Sequence, residues 1–215
     1  MDARKDELQQ LVGRQLIFKD IAKDFILAHT DHAEFISEEQ KEHFQIFDEL
    51  DAPIIVDGKD LVFYRAECHG LERILNVFHR GANILYRKEN KLYIPQRSPD
   101  KDLYPSCADF SVGEHVKPRE TYEEAAIRGA FEELGQTIQK ADLKLIGKRP
   151  VSDKYQDEQV MYFLLDYAGG EIVHSDEIAS GRWHSIKDMK NQGYFDALNV
   201  RQDHRPVMEE FLRNI

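Results

Sequence analysis

The sequence has few of the features that define several common protein classes. It contains only two cysteines, Cys68 and Cys107, which is too few for the disulfide framework of a small secreted protein or for a zinc set. No apolar run approaches the roughly 18 residues of a transmembrane helix, and Met1–Lys5 do not resemble a secretory signal. Repeats and low-complexity segments are also absent. These absences predict a cytoplasmic protein with no membrane-spanning segment.

The sequence also has fewer basic residues than acidic ones. The 215 residues include 29 Lys and Arg against 40 Asp and Glu, which gives a net charge of −11. This balance argues against nucleic acid as a bulk ligand, although nucleotides are not excluded. An anionic substrate would therefore need local cations to offset the overall charge. A chain of this length can bury one good core.

The most informative stretch is residues 113–135, GEHVKPRETYEEAAIRGAFEELG. It is predicted to be a turn-rich, charged loop that runs into a short acidic helix. Thr121 and Glu124 form a capping box, and Gly135 is placed to end the helix in the left-handed conformation. A loop–helix unit rich in glutamate is typical of sites that hold a hard divalent cation against phosphate.

The predicted helix has two distinct faces, because successive side chains are rotated by about 100°. The predicted core face consists of Ile127, Ala130, Phe131 and Leu134. The opposite face carries Ala125, Arg128, Gly129, Glu132 and Gln136, with Glu133 on its flank. We interpret this second face as the functional one, against the alternative of a solvated acidic surface.

This segment resembles the Nudix box, G-x5-E-x7-R-E-U-x-E-E-x-G-U, in which U is aliphatic. Glu120 matches the first glutamate, Arg128 follows at the family spacing, and Glu132, Glu133 and Gly135 are in register. The resemblance implies an α/β Nudix fold, an α/β/α sandwich around a mixed sheet. It also implies metal-dependent hydrolysis of a diphosphate linkage in a small molecule, such as a nucleoside diphosphate linked to another moiety. The implied cofactor is Mg²⁺ or Mn²⁺.

Three positions depart from the box. Glu114 stands where the family has glycine, with Gly113 one position early, and Gln136 replaces an aliphatic residue. Gly129 replaces the first glutamate of R-E-U-x-E-E, which helps to hold the metal or serves as base in hydrolases of this family. Glycine inside a helix also costs roughly 0.5–1 kcal/mol relative to alanine. Either activity is reduced, or another carboxylate compensates, with Glu114 the first candidate, or a substrate group needs the space.

The resemblance extends over roughly residues 50–190, to the branch of the superfamily that includes isopentenyl-diphosphate isomerase and its hydrolase relatives. The matching run is residues 78–116. The pattern of that branch is matched at His79, Arg80, Gln96, Arg97 and Lys101. The Arg and Lys of the pattern contact the diphosphate in the isomerase. The resemblance therefore implies that Arg97 and Lys101 are substrate-binding residues.

The isomerase itself matches poorly at its catalytic cysteine, which lies two residues before the histidine of its G-H-x motif. Counting back from His115, that position holds Gly113, and Cys107 is six residues further upstream. Without a thiol there, allylic proton transfer lacks one of its two partners. The sequence therefore favours hydrolysis. An isomerase-like activity remains an alternative, because the isomerases also lack the glutamate that Gly129 replaces. A catalytically weakened nucleotide-binding or regulatory protein is the other alternative.

Further candidate site residues lie outside the helix. Glu158 opens a strand-like run, EQVMYFLLDY, and stands five residues before Phe163. In the isomerase-like branch this spacing marks a metal ligand or an acid/base. His115 and His79 are implied as metal ligands by the same resemblance. Glu177 stands six residues before Trp183, as an acidic residue often does before the R-W strand of Nudix proteins. We interpret it as a loop or helix-start residue, with a site role as the alternative.

The predicted roles divide into three sets. The predicted metal ligands are Glu132, Glu133, Glu120, Glu158 and His115. The predicted catalytic residues are Glu132, Glu133, Glu158 and Arg128, and Arg128 is expected to orient Glu120 or Glu132 rather than contact the substrate. The predicted substrate contacts are Arg97 and Lys101. The partner is a small-molecule diphosphate, with no nucleic acid and no membrane.

The chain is predicted to have two parts, an N-terminal helical extension at residues 1–48 and a Nudix domain at residues 49–215. Apolar residues recur at helical spacing from Leu8 to Ile26, and Ser37 is placed to cap a second helix. The extension is predicted to pack on its own domain, and the alternatives are a homodimer contact or a gate over the pocket.

Strands are predicted near residues 53–57, 61–66, 80–88, 91–96, 143–150, 158–167 and 180–185. A helix is predicted to end near Gly193, and a C-terminal helix to carry Pro206 in its first turn.

Overall fold

The structure is a computed structural model that describes residues 42–56, 58–65, 72, 76–153 and 156–214. The helix predicted between Leu8 and Ile26, the cap at Ser37 and most of the predicted 1–48 extension lie outside these residues. None of the described helices combines the length and the apolar content that crossing a bilayer requires.

The described residues form ten strands and four α-helices. The strands are β1 (His43–Gln45), β2 (Ile55–Val56), β3 (Lys59–Asp60), β4 (Val62–Tyr64), β5 (His79–Lys88), β6 (Lys91–Arg97), β7 (Val112–His115), β8 (Leu143–Ser152), β9 (Asp157–Asp166) and β10 (Ile178–Ser185). The helices are α1 (Tyr122–Leu134), α2 (Ile186–Met189), α3 (Tyr194–Leu198) and α4 (Arg205–Arg213). Each of the seven predicted strands is present.

The central sheet has the strand order β10-β6-β5-β9-β8, and β7 pairs with the first half of β5. Strands β5 and β9 are parallel and their other neighbours are antiparallel, so the sheet is mixed, as predicted. The parallel pairing sets His79 beside Glu158. The β5–β7 pairing sets Gly81 beside His115. Residues far apart in sequence therefore meet at one end of β5.

Apolar side chains cover both faces of the sheet. Along β5, Ile84 and Tyr86 belong to the core that includes α1, whereas Leu85 belongs to the core that includes α3 and α4. This is the two-residue alternation of a strand buried on both sides. Helices therefore pack on each face, which gives the predicted α/β/α sandwich.

The predicted ends of α1 are confirmed. Thr121 Oγ1 accepts a hydrogen bond from the Glu124 backbone N–H, and the Glu124 carboxylate accepts one from the Thr121 backbone N–H. Gly135 adopts a left-handed φ of 64° at the other end. Local capping chemistry, which depends on only a few neighbouring residues, was sufficient to fix both boundaries.

The predicted core face of α1 is wrong in part. Phe131 is 63% exposed, whereas Ala125 and Gly129, which the sequence placed on the opposite face, are buried. Small residues at these two positions allow the helix to lie close against β7 and β5. The buried face is therefore selected by close approach to the sheet rather than by the size of the apolar side chains.

Three other local predictions need correction. Residues 113–115, predicted to be a loop, lie in β7, because pairing with β5 stabilises a strand that the polar sequence does not indicate. Residues His43–Gln45, at the end of the predicted helical extension, form β1, which pairs with β4. The helix predicted to end near Gly193 is two short helices, and Gly193, with a φ of 79°, precedes the second. The C-terminal helix with Pro206 in its first turn is confirmed.

Candidate active site

One cavity of about 220 Å³ gathers most of the candidate residues. Its lining includes Arg97, Lys101, His115, Arg128, Glu132 and Glu158, and also Glu114 and Glu177. Among the described residues, Leu103 is the only one in this lining with an aliphatic side chain. Charged and hydrogen-bonding groups surround the remaining space, so the cavity suits a polar, charged ligand.

Two histidines and a buried glutamate converge in this region. His79 Nε2 lies 3.7 Å from Glu158 Oε1, and ligand atoms of His79, His115 and Glu158 all lie within 4.8 Å of one another. His79 Nε2 is buried, and no hydrogen-bond partner is found for it among the described residues. Imidazole nitrogens and carboxylate oxygens are common metal ligands. The donor set and the unpartnered nitrogen fit a bound divalent cation.

Glu72 fixes the orientation of His79. Its carboxylate lies 2.5 Å from His79 Nδ1 and accepts the backbone N–H groups of His79 and Asp157, each at 3.1 Å. With Nδ1 bound to Glu72, the opposite nitrogen is left to face Glu158. Burial lowers the pKa of His79, but the charges of Glu72 and Glu158 outweigh burial and raise it to about 9. Nothing in the sequence marked Glu72.

His115 is held in the neutral form that binds metals. Burial lowers its pKa to about 4, despite the opposing hydrogen bond to Glu42. Its Nδ1 lies 3.4 Å from Glu42 Oε2, and Glu42, Glu114 and His115 form a second set of potential ligands within 4.8 Å. A neutral imidazole can ligate a metal without first losing a proton, whereas His79, with its raised pKa, must release its Nε2 proton when a cation binds. Glu42 belongs to the segment predicted as a helical extension, so sequence reasoning missed it.

Glu158 occupies space that a glycine leaves open. A Cβ at Gly81 would lie only 1.8 Å from Glu158 Oε1, so Gly81 allows the carboxylate to cross β5. Burial raises the pKa of Glu158, and the neighbouring His79 opposes that rise. A carboxylate with a raised pKa accepts a proton more readily near neutral pH.

Arg128 is surrounded by oxygen acceptors. It makes two 2.9 Å hydrogen bonds to the carboxylate of Glu120, a 2.7 Å bond to the His115 carbonyl oxygen and a 3.1 Å bond to Glu132 Oε2. Its NH1 also lies 3.0 Å from Glu114 Oε2. Both oxygens of Glu120 are engaged in this way, and the structure does not bring Glu120 to the cavity lining with the other predicted ligands.

The two adjacent glutamates of the box have different surroundings. Glu132 lines the cavity with its side chain 49% exposed. Glu133 is absent from that lining, and its Oε1 accepts the Gly113 backbone N–H at 3.1 Å. Burial, with repulsion from Glu114 and Glu177, raises the pKa of Glu133 well above its usual range. The sequence assigned both residues the same roles, but their surroundings differ.

The two predicted substrate contacts line the same cavity. Arg97 NH2 donates to the Leu103 carbonyl oxygen at 3.0 Å, and its NH1 donates to Asp109 Oδ2 at 3.3 Å. Lys101 Nζ lies 3.2 Å from Glu177 Oε2. The Glu177 carboxylate therefore reaches the site, which its interpretation as a loop residue did not anticipate.

The C-terminal segment adds groups that sequence reasoning missed. Arg201 and His204, which lie just before α4 or at its start, line the cavity and contact Asp109 at 3.1 and 2.6 Å. Asp109 also binds Arg97, so one buried carboxylate joins both arginines. Burial opposes ionisation, but Arg201 and His204 hold the pKa of Asp109 well below its usual range. No motif links these positions, and only the fold brings them together.

Glu72→Gln is expected to weaken Mn²⁺ binding by about 10- to 100-fold, because residues that orient metal-binding histidines typically contribute that much affinity. The amide NH₂ would face N–H donors that now meet a carboxylate, so a lower melting temperature is also expected. Isothermal titration calorimetry with Mn²⁺ measures the affinity. The exposed Glu171→Gln serves as the control. Equal Mn²⁺ affinities for the two variants would show that Glu72 does not support a metal site.

The sequence is similar to those of known proteins. A Nudix hydrolase from Deinococcus radiodurans is 35% identical over 112 residues, which cover 52% of this chain and 61% of that protein. Isopentenyl-diphosphate Delta-isomerase 1 from Photorhabdus laumondii is 29% identical over 118 residues, which cover 52% of this chain and 66% of that protein. The matches therefore span less than two thirds of either relative.

A solved structure and a family model each match most of the chain. The crystal structure of a Deinococcus radiodurans protein superposes with a TM-score of 0.54 at 24% sequence identity, covering 80% of this chain and 98% of that chain. The likeness shows a shared fold. The NUDIX domain model matches residues 77–211, from the start of β5 to the last turn of α4. Since that match covers well over half of the chain and contains the cavity residues around β5, β7 and α1, the protein belongs to the Nudix family.

Proposed function

We propose that this protein is a metal-dependent hydrolase that cleaves a diphosphate linkage in a small, polar molecule. The observation that carries the proposal is the convergence of His79, His115 and Glu158 around His79 Nε2, a buried nitrogen with no hydrogen-bond partner among the described residues. Arg97 and Lys101 line the cavity beside this cluster. A cation-binding set next to anion-binding side chains is the arrangement that a diphosphate requires.

The donor set favours a particular cation. Mg²⁺ prefers oxygen ligands and retains several waters, whereas transition-metal ions accept imidazole ligands more readily, and Mn²⁺ is the transition-metal ion of the two predicted cofactors. Bound there, the cation would neutralise phosphate oxygens and lower the pKa of a water molecule. Glu132, which also lines the cavity, offers one more oxygen ligand. We therefore expect Mn²⁺ to support activity better than Mg²⁺.

The side chains of the chain itself then bind and orient the substrate. Arg97 and Lys101 contact the phosphate oxygens. The carboxylates of Asp109 and Glu177 hold the Arg97 and Lys101 side chains in place. Glu158, whose carboxylate lies at the cluster, accepts the proton of the attacking water. Arg128 acts through the carboxylates that it binds rather than through the substrate.

The isomerase-like alternative has two observations in its favour, the glycine at position 129, where the isomerases also lack the glutamate, and the relative named as an isopentenyl-diphosphate isomerase. Two observations weigh against it. Gly113 holds the position of the missing thiol, and Cys107 does not line the cavity among the described residues. A lining with the single aliphatic side chain of Leu103 also offers little surface for a hydrocarbon group. Hydrolysis of a linkage between polar groups fits this cavity better.

A phosphate-release screen tests the proposed activity. Nucleoside-diphosphate-linked compounds and isopentenyl diphosphate would be incubated with the protein and Mn²⁺, Mg²⁺ or EDTA, followed by phosphatase and phosphate detection. We expect turnover of at least one linked compound with Mn²⁺, loss of turnover with EDTA and recovery when Mn²⁺ is restored. Formation of the allylic isomer would instead support the isomerase. Tight binding without turnover would support the weakened, regulatory alternative that Gly129 suggests.

A further inference from the structure

Gly129 and Glu114 compete for the same space. A Cβ on Gly129 would lie 2.8 Å from Glu114 Cβ, 3.2 Å from Glu114 Cγ and 2.9 Å from Val112 Cγ1. Such approaches overlap van der Waals radii, and the crowding atoms are the base of the Glu114 side chain and a buried valine, which cannot swing away. Helix α1 therefore cannot carry a side chain at position 129 unless both Glu114 and Val112 shift.

The Glu114 side chain crosses the face of Gly129 and reaches the active-site cavity. Its side chain is 15% exposed, and its Oε2 lies 3.0 Å from Arg128 NH1. The same nitrogen of Arg128 donates to Glu132. A Glu114 oxygen also lies within 4.8 Å of ligand atoms of Glu42 and His115. The Glu114 carboxylate therefore comes from β7 and binds the same Arg128 nitrogen as Glu132 of α1.

The two departures from the box pattern are therefore connected. The pattern has glycine at position 114 and glutamate at position 129, and this chain has the two residue types interchanged. We propose that Glu114 supplies from β7 the cation-facing carboxylate that Gly129 removes from α1. This inference rests on the proposed function, and it means that the site keeps its full number of carboxylates. Introducing a glutamate at position 129 alone would then damage the site rather than repair it.

Three variants test this exchange of the carboxylate from position 129 to position 114. The ligand is Mn²⁺ alone, and the two readouts are titration calorimetry and the melting temperature. Glu114→Gln preserves shape and is expected to lower Mn²⁺ affinity at least about 10-fold with little change in melting temperature. Gly129→Glu is expected to lower the melting temperature by at least about 3 °C through overpacking, and to weaken Mn²⁺ binding. The double variant Glu114→Gly with Gly129→Glu is expected to recover both properties relative to Gly129→Glu.

Several results would overturn the exchange. One is wild-type Mn²⁺ affinity in Glu114→Gln, particularly with a lowered melting temperature, because Glu114 would then be only a structural partner of Arg128. Another is a Gly129→Glu variant that is as stable as the wild type. A third is a folded double variant that binds Mn²⁺ no better than Gly129→Glu. If the double variant does not fold, the Mn²⁺ affinity of Glu114→Gln decides whether the proposed exchange stands.

The outcome separates this inference from the proposed function. A wild-type protein that hydrolyses no diphosphate, but whose Mn²⁺ affinity falls in Glu114→Gln, would contradict the function and support the exchange. An active hydrolase with unchanged Mn²⁺ affinity in Glu114→Gln would support the function and contradict the exchange. Glu171→Gln, at an exposed position outside the cavity lining, provides the matched control for loss of one carboxylate.

Discussion

Glu158→Gln is expected to lower the rate of diphosphate hydrolysis at least about 100-fold, because removal of a general base alone costs 100- to 10,000-fold. The same change removes a candidate metal ligand beside His79. Glutamine keeps the size of the side chain over Gly81, and it removes the burial penalty of a charged group. The fold should therefore remain intact. Initial rates at saturating substrate and Mn²⁺, with circular dichroism as a check on folding, measure the effect.

Gly81→Ala is the matched control for the position of this carboxylate. It retains Glu158, but the added methyl group would lie 1.8 Å from Oε1, so the carboxylate must move. We expect weaker Mn²⁺ binding and slower hydrolysis than in the wild type, although the charge is unchanged. A Glu158→Gln variant that keeps more than half of the wild-type rate would remove Glu158 from the proposed mechanism.

Arg128→Ala is expected to destabilise the protein by about 2–3 kcal/mol, because it leaves partly buried carboxylates without their cationic partner. Arg128 is 18% exposed and binds Glu114 and Glu120, whose side chains are each 15% exposed. It also binds the His115 carbonyl oxygen. Its removal therefore loosens both the β7 end of the site and the start of α1. Urea unfolding monitored by fluorescence gives the free energy of unfolding.

Two companion variants sharpen this prediction. Arg128→Lys keeps the charge but loses the bidentate contact with Glu120, so it should be less stable than wild type and more stable than Arg128→Ala. Arg149 pairs with Glu210 at the surface, with side chains 37% and 49% exposed, so Arg149→Ala should cost less than about 1 kcal/mol. Equal losses in Arg128→Ala and Arg149→Ala would show that the Arg128 network contributes no special stability.

The sequence revealed the parts of the fold that depend on local or closely spaced residues. The Thr121–Glu124 capping box and Gly135 set the ends of α1, and fixed box spacing indicated the family. The buried face of α1 was harder to predict. Phe131 is large and apolar, but close packing against the sheet selects Ala125 and Gly129 for burial instead. That choice depends on the distance between helix and sheet, which periodicity alone does not report.

The candidate site was only partly predictable, because several of its contacts join distant segments. Glu72 reaches His79 because its side chain accepts hydrogen bonds from the start of both β5 and β9. Asp109 meets Arg201 only after α4 packs against the sheet. The exchange of residue types at positions 114 and 129 was visible in the sequence, but the steric conflict that connects them requires the packing of α1 against β7.

The most direct test of the account is to locate Mn²⁺ in crystals by anomalous scattering. We predict a peak at coordination distance, about 2.0–2.3 Å, from the imidazole nitrogens of His79 and His115 and a carboxylate oxygen of Glu158. Calorimetry on the same preparation should detect uptake of the ion. A map at millimolar Mn²⁺ with no peak inside this cluster, together with no heat of binding, would contradict the central claim.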